Sequence, residues 1–180
     1  ENNFLMDLNN VPSTIAKRAK ILWINYPNSP SGVVAPQAFF REIFEFAINY
    51  DLIIASDEAY SEIYFGEPPI SMLNVSKERV LTFNSLSKRS AMTCYRIGWV
   101  AGDPELVALF REVKTNIDSG TPTFIQDGAI AALNDENHVT AFRKQYRDKR
   151  DLLCTALVEA GLPDCTPEST LYIWQQVPPH

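Results

Sequence analysis

Three short segments of this sequence combine residue types that can do covalent and acid-base chemistry. Ser85-Leu86-Ser87-Lys88 places two hydroxyls beside a primary amine, and Arg96 follows Lys88 by eight residues. Asp57-Glu58-Ala59-Tyr60 sets a carboxylate three residues before a phenol. Asn25-Tyr26-Pro27-Asn28-Ser29-Pro30-Ser31-Gly32 offers amides and hydroxyls in a turn punctuated by proline and glycine. A lysine amine can hold an aldehyde covalently and afterwards move protons.

One kind of ligand needs this whole set: a phosphorylated pyridine that carries an aldehyde. Lys88 suits the aldehyde, Asp57 the ring nitrogen, whose proton a carboxylate retains, and Tyr60 a ring oxygen. Ser85, Ser87 and Arg96 suit the phosphate, since a guanidinium grips phosphate oxygens in pairs. Taken singly, each residue has a plainer explanation. A loop lysine is most often a solvated charge, an acidic pair often ends a strand, and an arginine often makes a surface ion pair. The set gains meaning because each segment follows an apolar run.

Those runs are Ile21–Ile24, Leu52–Ser56, Val80–Phe83 and Ile97–Ala101, and their near-continuous hydrophobicity predicts strands buried on both faces. Between the first two, Phe39, Ile43, Phe46 and Tyr50 recur at helical spacing after Pro36, with Phe39, Phe40, Phe44 and Phe46 as core or interface residues. Asp103-Pro104 caps a helix over 105–117, Pro122 starts one over 123–133, and a long helix over 138–160 ends at Gly161 and Pro163. Strands alternating with helices predict an α/β fold, a three-layer sandwich whose mostly parallel sheet is flanked by helices. In such sheets ligands bind beyond the carboxyl ends of the strands, where the three segments would converge. A further strand over Thr170–Trp174 would begin a smaller α+β C-terminal domain, dividing the chain into 1–137 and 138–180. His138 reads as a helix-start residue, and the basic stretch Arg143 to Arg150 as a solvated helix face.

The Asn-Tyr-Pro-Asn-Ser-Pro-Ser-Gly turn, Asp57-x-x-Tyr60, Ser85-x-x-Lys88 and Arg96-x-Gly98, in that order, resemble the class I and II aminotransferases among the fold-type I pyridoxal-phosphate enzymes. Ser87-Lys88-Arg89-Ser90, the run Val113 to Gly120 and the run Ile130 to Asp135 are similar to diaminopimelate and N-succinyldiaminopimelate aminotransferases. The resemblance implies pyridoxal 5'-phosphate as cofactor, with Lys88, Asp57 and Tyr60 catalytic. It implies that Lys88, Asp57, Tyr60, Ser85, Ser87, Arg96, Asn28 and Ser29 bind the cofactor. It further implies an amino-acid donor, a 2-oxo acid acceptor such as 2-oxoglutarate, and a cytoplasmic homodimer. A lyase reaction in the same site, or a non-catalytic ligand-sensing domain, is the alternative.

Two positions depart from the family pattern. Ser29 stands where asparagine usually precedes the turn proline, so Asn28 or Tyr60 would take over the contact to the ring oxygen. Cys94 stands where glycine is common, either restricting its loop or packing as a small hydrophobe. Ser85-x-x-Lys88 also fits penicillin-binding proteins and class A β-lactamases, but no Ser-Asp-Asn accompanies it and Lys114-Thr115-Asn116 replaces Lys-Thr-Gly.

With 180 residues, 46% of them hydrophobic, the chain can bury one sizeable core. A net charge of -6 with scattered cations argues against nucleic-acid or anionic-membrane partners. Cys94, Cys154 and Cys165 show no metal-ligand spacing, and the only histidines are His138 and His180. No run reaches the length of a membrane helix. The start at Glu1 predicts a piece of a longer protein. The resemblance then places the substrate-carboxylate arginine outside these residues, so the fragment alone would have little or no activity.

Overall fold

A computed structural model describes residues 3–178, and the readings on Glu1, Asn2 and His180 lie outside the described residues. In chain order the elements are α1 (Ser13–Ala16), β1 (Ile21–Asn25), α2 (Gln37–Tyr50), β2 (Ile53–Asp57), β3 (Val80–Ser85), α3 (Leu86–Arg89), β4 (Gly98–Gly102), α4 (Pro104–Ile117), α5 (Thr123–Leu133) and α6 (Asn137–Glu159). The sheet runs β1-β2-β3-β4; the first three strands are parallel and β4 is antiparallel to β3. All four apolar runs became strands. The link from β3 to β4 holds only the one-turn α3 and a 3-10 turn, so no long helix crosses the sheet to carry the chain back and β4 returns antiparallel.

Gly98 and Gly102 let β4 lie this close to β3. A Cβ on Gly98 would stand 2.4 Å from the Asn84 carbonyl oxygen, and one on Gly102 2.0 Å from that of Val80. Neither position has room for a side chain.

One sheet face is closed by α2. Its inward residues Phe39, Phe40, Ile43 and Ala47 pack with Ile24, Ile54, Val80 and Met72 in the main core. Phe40 is 1% exposed, and truncating a buried phenylalanine to alanine costs about 3–5 kcal/mol. The helix stops at Asp51, whose left-handed backbone returns its N–H to the Ala47 and Ile48 carbonyls. Pro36 sits at the cap, one position before the first helical residue. On the other face Phe110 of α4 meets Phe83 edge-on, so helices flank the sheet on both sides. Asp103 caps α4 as its sequence predicts, its carboxylate accepting from the Glu105 and Leu106 N–H groups.

Three expectations need correction. Burial on both faces fails at β1, where Ile21 and Trp23 are 49% and 58% exposed, and at the edge strand β4, where Trp99 is 37% exposed. On this face α4 packs over β3 and β4. Residues 170–174 form no strand: Ser169 makes a single antiparallel bridge to Tyr64, and Thr170 turns to φ 75°. A positive φ takes the chain out of the extended region that a strand needs.

The stretch Arg143 to Arg150 is a solvated face only in part: Lys144, Arg147, Asp148 and Lys149 are exposed, but the two end arginines are engaged. Arg143 stacks 4.0 Å above the Tyr64 ring and donates to the Glu62 carbonyl, while Arg150 stacks 4.3 Å above Phe65 and donates to the Pro167 carbonyl. The irregular segment after Tyr60 exposes backbone carbonyls that need donors, and arginine supplies forked N–H groups on a planar cation that stacks on rings.

Candidate active site

The carboxyl ends of β1, β2 and β3 fall side by side, with Asn25 paired to Asp57 and Asp57 to Phe83. The antiparallel return puts Gly98 opposite Ser85, so Arg96 enters at this same end of the sheet. The topology thus collects the three segments on one edge.

Lys88 lies in α3, which begins when the Ser85 hydroxyl caps the helix by accepting from Ser87 N–H over 3.1 Å. The Lys88 Nζ stands 5.5 Å from the centroid of the Tyr60 ring, so the amine and the phenol share one neighbourhood. Asp57 is half-buried at the end of β2, and its Oδ1 accepts from Ala59 N–H over 3.1 Å.

Tyr60 is the most strongly perturbed of these groups. Its phenol is pushed up to about 12, first by burial and then by its hydrogen bond with Tyr172; the Asp57 charge adds in the same sense. The Ser29 hydroxyl pulls the other way. The phenol therefore stays a hydrogen-bond donor throughout neutral pH.

The turn after β1 sorts its candidates. Asn28 is built into the turn, its amide donating to the Asn25 carbonyl at 3.3 Å and its oxygen accepting from the Ser31 hydroxyl at 2.6 Å. Ser29 is the turn residue that reaches Tyr60. Arg96 is exposed, with a left-handed backbone, and donates to the Thr93 carbonyl over 2.9 Å. Ser87 holds its loop through its carbonyl, which accepts from the Thr93 hydroxyl at 3.2 Å. Cys94 is exposed in the 3-10 turn Thr93–Tyr95 and does not pack as a hydrophobe.

Three residues escaped the sequence reading of the site. Asn25 donates to the Asp57 carbonyl at 3.2 Å and accepts from Ser29 N–H at 2.9 Å, joining two of the segments. Its signal was a polar amide closing an apolar run. Tyr172 reaches Tyr60 from 112 residues away, which no local pattern announces. Arg89 is buried beside Lys88, donating to the Ala132 carbonyl and pairing with Glu136. Glu58 is 4% exposed and accepts from the Ser56 and Ser71 hydroxyls and from Met72 N–H. Burial raises its carboxyl above the usual range.

The amine, carboxylate, phenol, hydroxyls and guanidinium on one sheet edge fit an aldehyde-bearing pyridine phosphate. A separate cavity of about 600 Å³ lies under α4, walled by Phe83, Trp99, Val107 and Phe110 among others. Neither Lys88, Asp57 nor Tyr60 lines it, so it lies apart from this set.

A family model described as aminotransferase class I and II matches residues 1–180. The LL-diaminopimelate aminotransferase of Aquifex aeolicus is 46% identical over 182 residues, covering 99% of this chain and 47% of that protein. The chain thus spans about half the length of the curated relatives it matches. An aminotransferase structure from Neisseria meningitidis superposes with a TM-score of 0.91 at 36% identity, over 98% of this chain and 46% of the other. A Thermus thermophilus structure described as a "probable N-succinyldiaminopimelate aminotransferase" gives 0.88 at 30% identity, over 99% and 49%.

Proposed function

Because the chain belongs to the class I and II aminotransferases, we propose that the complete protein is a pyridoxal 5'-phosphate-dependent aminotransferase with Lys88 as its cofactor lysine. The observation that carries this reading is the Lys88 amine 5.5 Å from the Tyr60 ring, at the sheet edge where Asp57 ends β2. When bound, the cofactor supplies a protonated pyridine that draws electrons from the substrate's α-carbon.

The chain's own residues do the rest. Lys88 holds the aldehyde covalently, and its freed amine takes and returns the proton at the substrate α-carbon. Asp57 keeps a proton on the pyridine nitrogen, an electrostatic contribution that strengthens in a site closed to water. Tyr60 and Ser29 would hold the ring oxygen, whereas Asn28 is committed to its turn. Ser85, Ser87 and Arg96 would hold the phosphate, for which the Arg96 guanidinium would exchange the Thr93 carbonyl.

The donor is diaminopimelate or its N-succinyl derivative, and the acceptor is 2-oxoglutarate. The 46% identity to the Aquifex aeolicus LL-diaminopimelate aminotransferase supports the donor. The protein is read as a cytoplasmic homodimer, with residues 138–180 opening a smaller domain. Among the described residues, no helix is long and apolar enough to cross a membrane.

A screen of amino-acid donors coupled to glutamate formation from 2-oxoglutarate, run on the complete gene product, tests this. Diaminopimelate or its succinyl derivative should be the preferred donor. Release of ammonia without glutamate would show a lyase instead, and a protein that binds amino acids without turnover would show a sensor.

A further inference from the structure

We propose that Tyr172 is a positioning residue of this site, holding the Tyr60 phenol in the orientation from which it reaches the cofactor's ring oxygen. The inference rests on the reading of Tyr60 as a cofactor-binding residue.

A tyrosine hydroxyl rotates about its C–O bond and has one hydrogen to give, so its usefulness as a donor depends on what else surrounds it. Tyr60 is buried, and its hydroxyl donates to that of Tyr172 over 3.1 Å; when Tyr60 turns its hydrogen to a ring oxygen, the Tyr172 hydroxyl can rotate to donate to Tyr60 in return. The two rings meet edge-on, with centroids 5.9 Å apart and planes at 67°. Tyr172 therefore contacts Tyr60 at both ring and hydroxyl, and its own side is partly open to solvent.

Tyr172 is delivered there by a strongly anchored segment. Phe65 N–H donates to the Glu168 carbonyl at 3.0 Å, Thr170 N–H to the Ile63 carbonyl at 2.9 Å, and the Ser169 hydroxyl to that same Ile63 carbonyl. Ser169 and Thr170 are fully buried. The segment also rests on the turn that carries Ser29: a Cβ on Gly32 would stand 2.4 Å from Pro167 Cβ and 2.7 Å from the Ser169 carbonyl oxygen. Thr170 is a β-branched residue at φ 75°, a strained backbone conformation that persists only where surroundings enforce it. Its hydroxyl then accepts the Tyr172 N–H at 3.4 Å. Buried anchors, a strained turn and a hydroxyl contact across 112 residues all converge on one phenol. The raised affinity of Tyr60 for its proton agrees with this arrangement.

The test compares Tyr172→Phe with the parent in the complete protein. Phenylalanine keeps the ring and its edge contact and removes only the hydroxyl. With ring-labelled tyrosine, NMR of the cofactor-free protein follows the Tyr60 titration directly, and visible absorbance follows cofactor binding and its pH dependence. The Tyr60 midpoint should move down, cofactor affinity should fall about two- to tenfold, the worth of one hydrogen bond, and the absorbance midpoint should move. In a Tyr60→Phe background the same substitution should add nothing to cofactor affinity, as expected of residues acting through one contact. An unchanged Tyr60 titration, or effects that add in full to those of Tyr60→Phe, would overturn the proposal while leaving the site reading intact. A Tyr60→Phe protein that binds cofactor as the parent does would remove the site reading, and this inference with it.

Discussion

Asn25 and Asp57 stand opposite one another at the carboxyl ends of β1 and β2, and the Asn25 amide ties the pair by donating to the Asp57 carbonyl over 3.2 Å. The same amide's oxygen accepts the Ser29 N–H, so a single side chain registers the turn against the carboxylate. Asn25→Ala removes both bonds. It should cost about 1–2 kcal/mol in urea unfolding and weaken cofactor retention. Parent-like values for both would show that turn and strand are held in register by something else.

Glu58 accepts three donors at one oxygen while almost wholly buried. Glu58→Ala strands the Ser56 and Ser71 hydroxyls and Met72 N–H, and should lose about 3 kcal/mol or more of unfolding free energy. Glu58→Gln retains an acceptor oxygen and should lose much less. Equal losses in the two variants would place the role of Glu58 in its charge and not in its hydrogen bonds.

Asp57→Ala in the complete protein should still bind cofactor but turn over on the order of 10²-fold more slowly or worse, because its contribution is electrostatic. Single-turnover rates with the preferred donor measure this. A variant as fast as the parent would separate Asp57 from the chemistry.

Tyr60 gives stability an alkaline signature. Its folded-state phenol is pushed up to about 12 from an ordinary 10.0, so the native state binds the proton more tightly than the unfolded chain. The resulting stability is fully present below pH 10 and is lost as pH climbs towards about 12. Tyr60→Phe should flatten that decline in urea midpoints measured between about pH 10 and 12, the window set by these two values. An equally steep decline in the variant would assign it to other groups.

The sequence declared the sheet because its strands are apolar and its breaks are prolines, glycines and capping residues such as Asp103. It also declared the candidate chemistry, since Lys88, Asp57 and Tyr60 each sit within a few residues of a strand end. What stayed hidden depends on partners distant along the chain. Tyr172 looked like a strand residue until Thr170 turned the backbone. Arg143 and Arg150 looked solvated because the rings and carbonyls they cover lie about eighty residues upstream or beyond the helix end. The open face of β1 was equally illegible, because apolar spacing records that a face avoids water and not which element covers it.

The central claim concerns one nitrogen. Reduction of the complete, cofactor-loaded protein with borohydride, followed by proteolysis and mass spectrometry, should find the cofactor's mass on the peptide containing Lys88. Lys88→Ala should show neither that adduct nor the visible absorbance. A modified peptide bearing any other lysine, or an adduct that survives the Lys88→Ala substitution, would contradict the account.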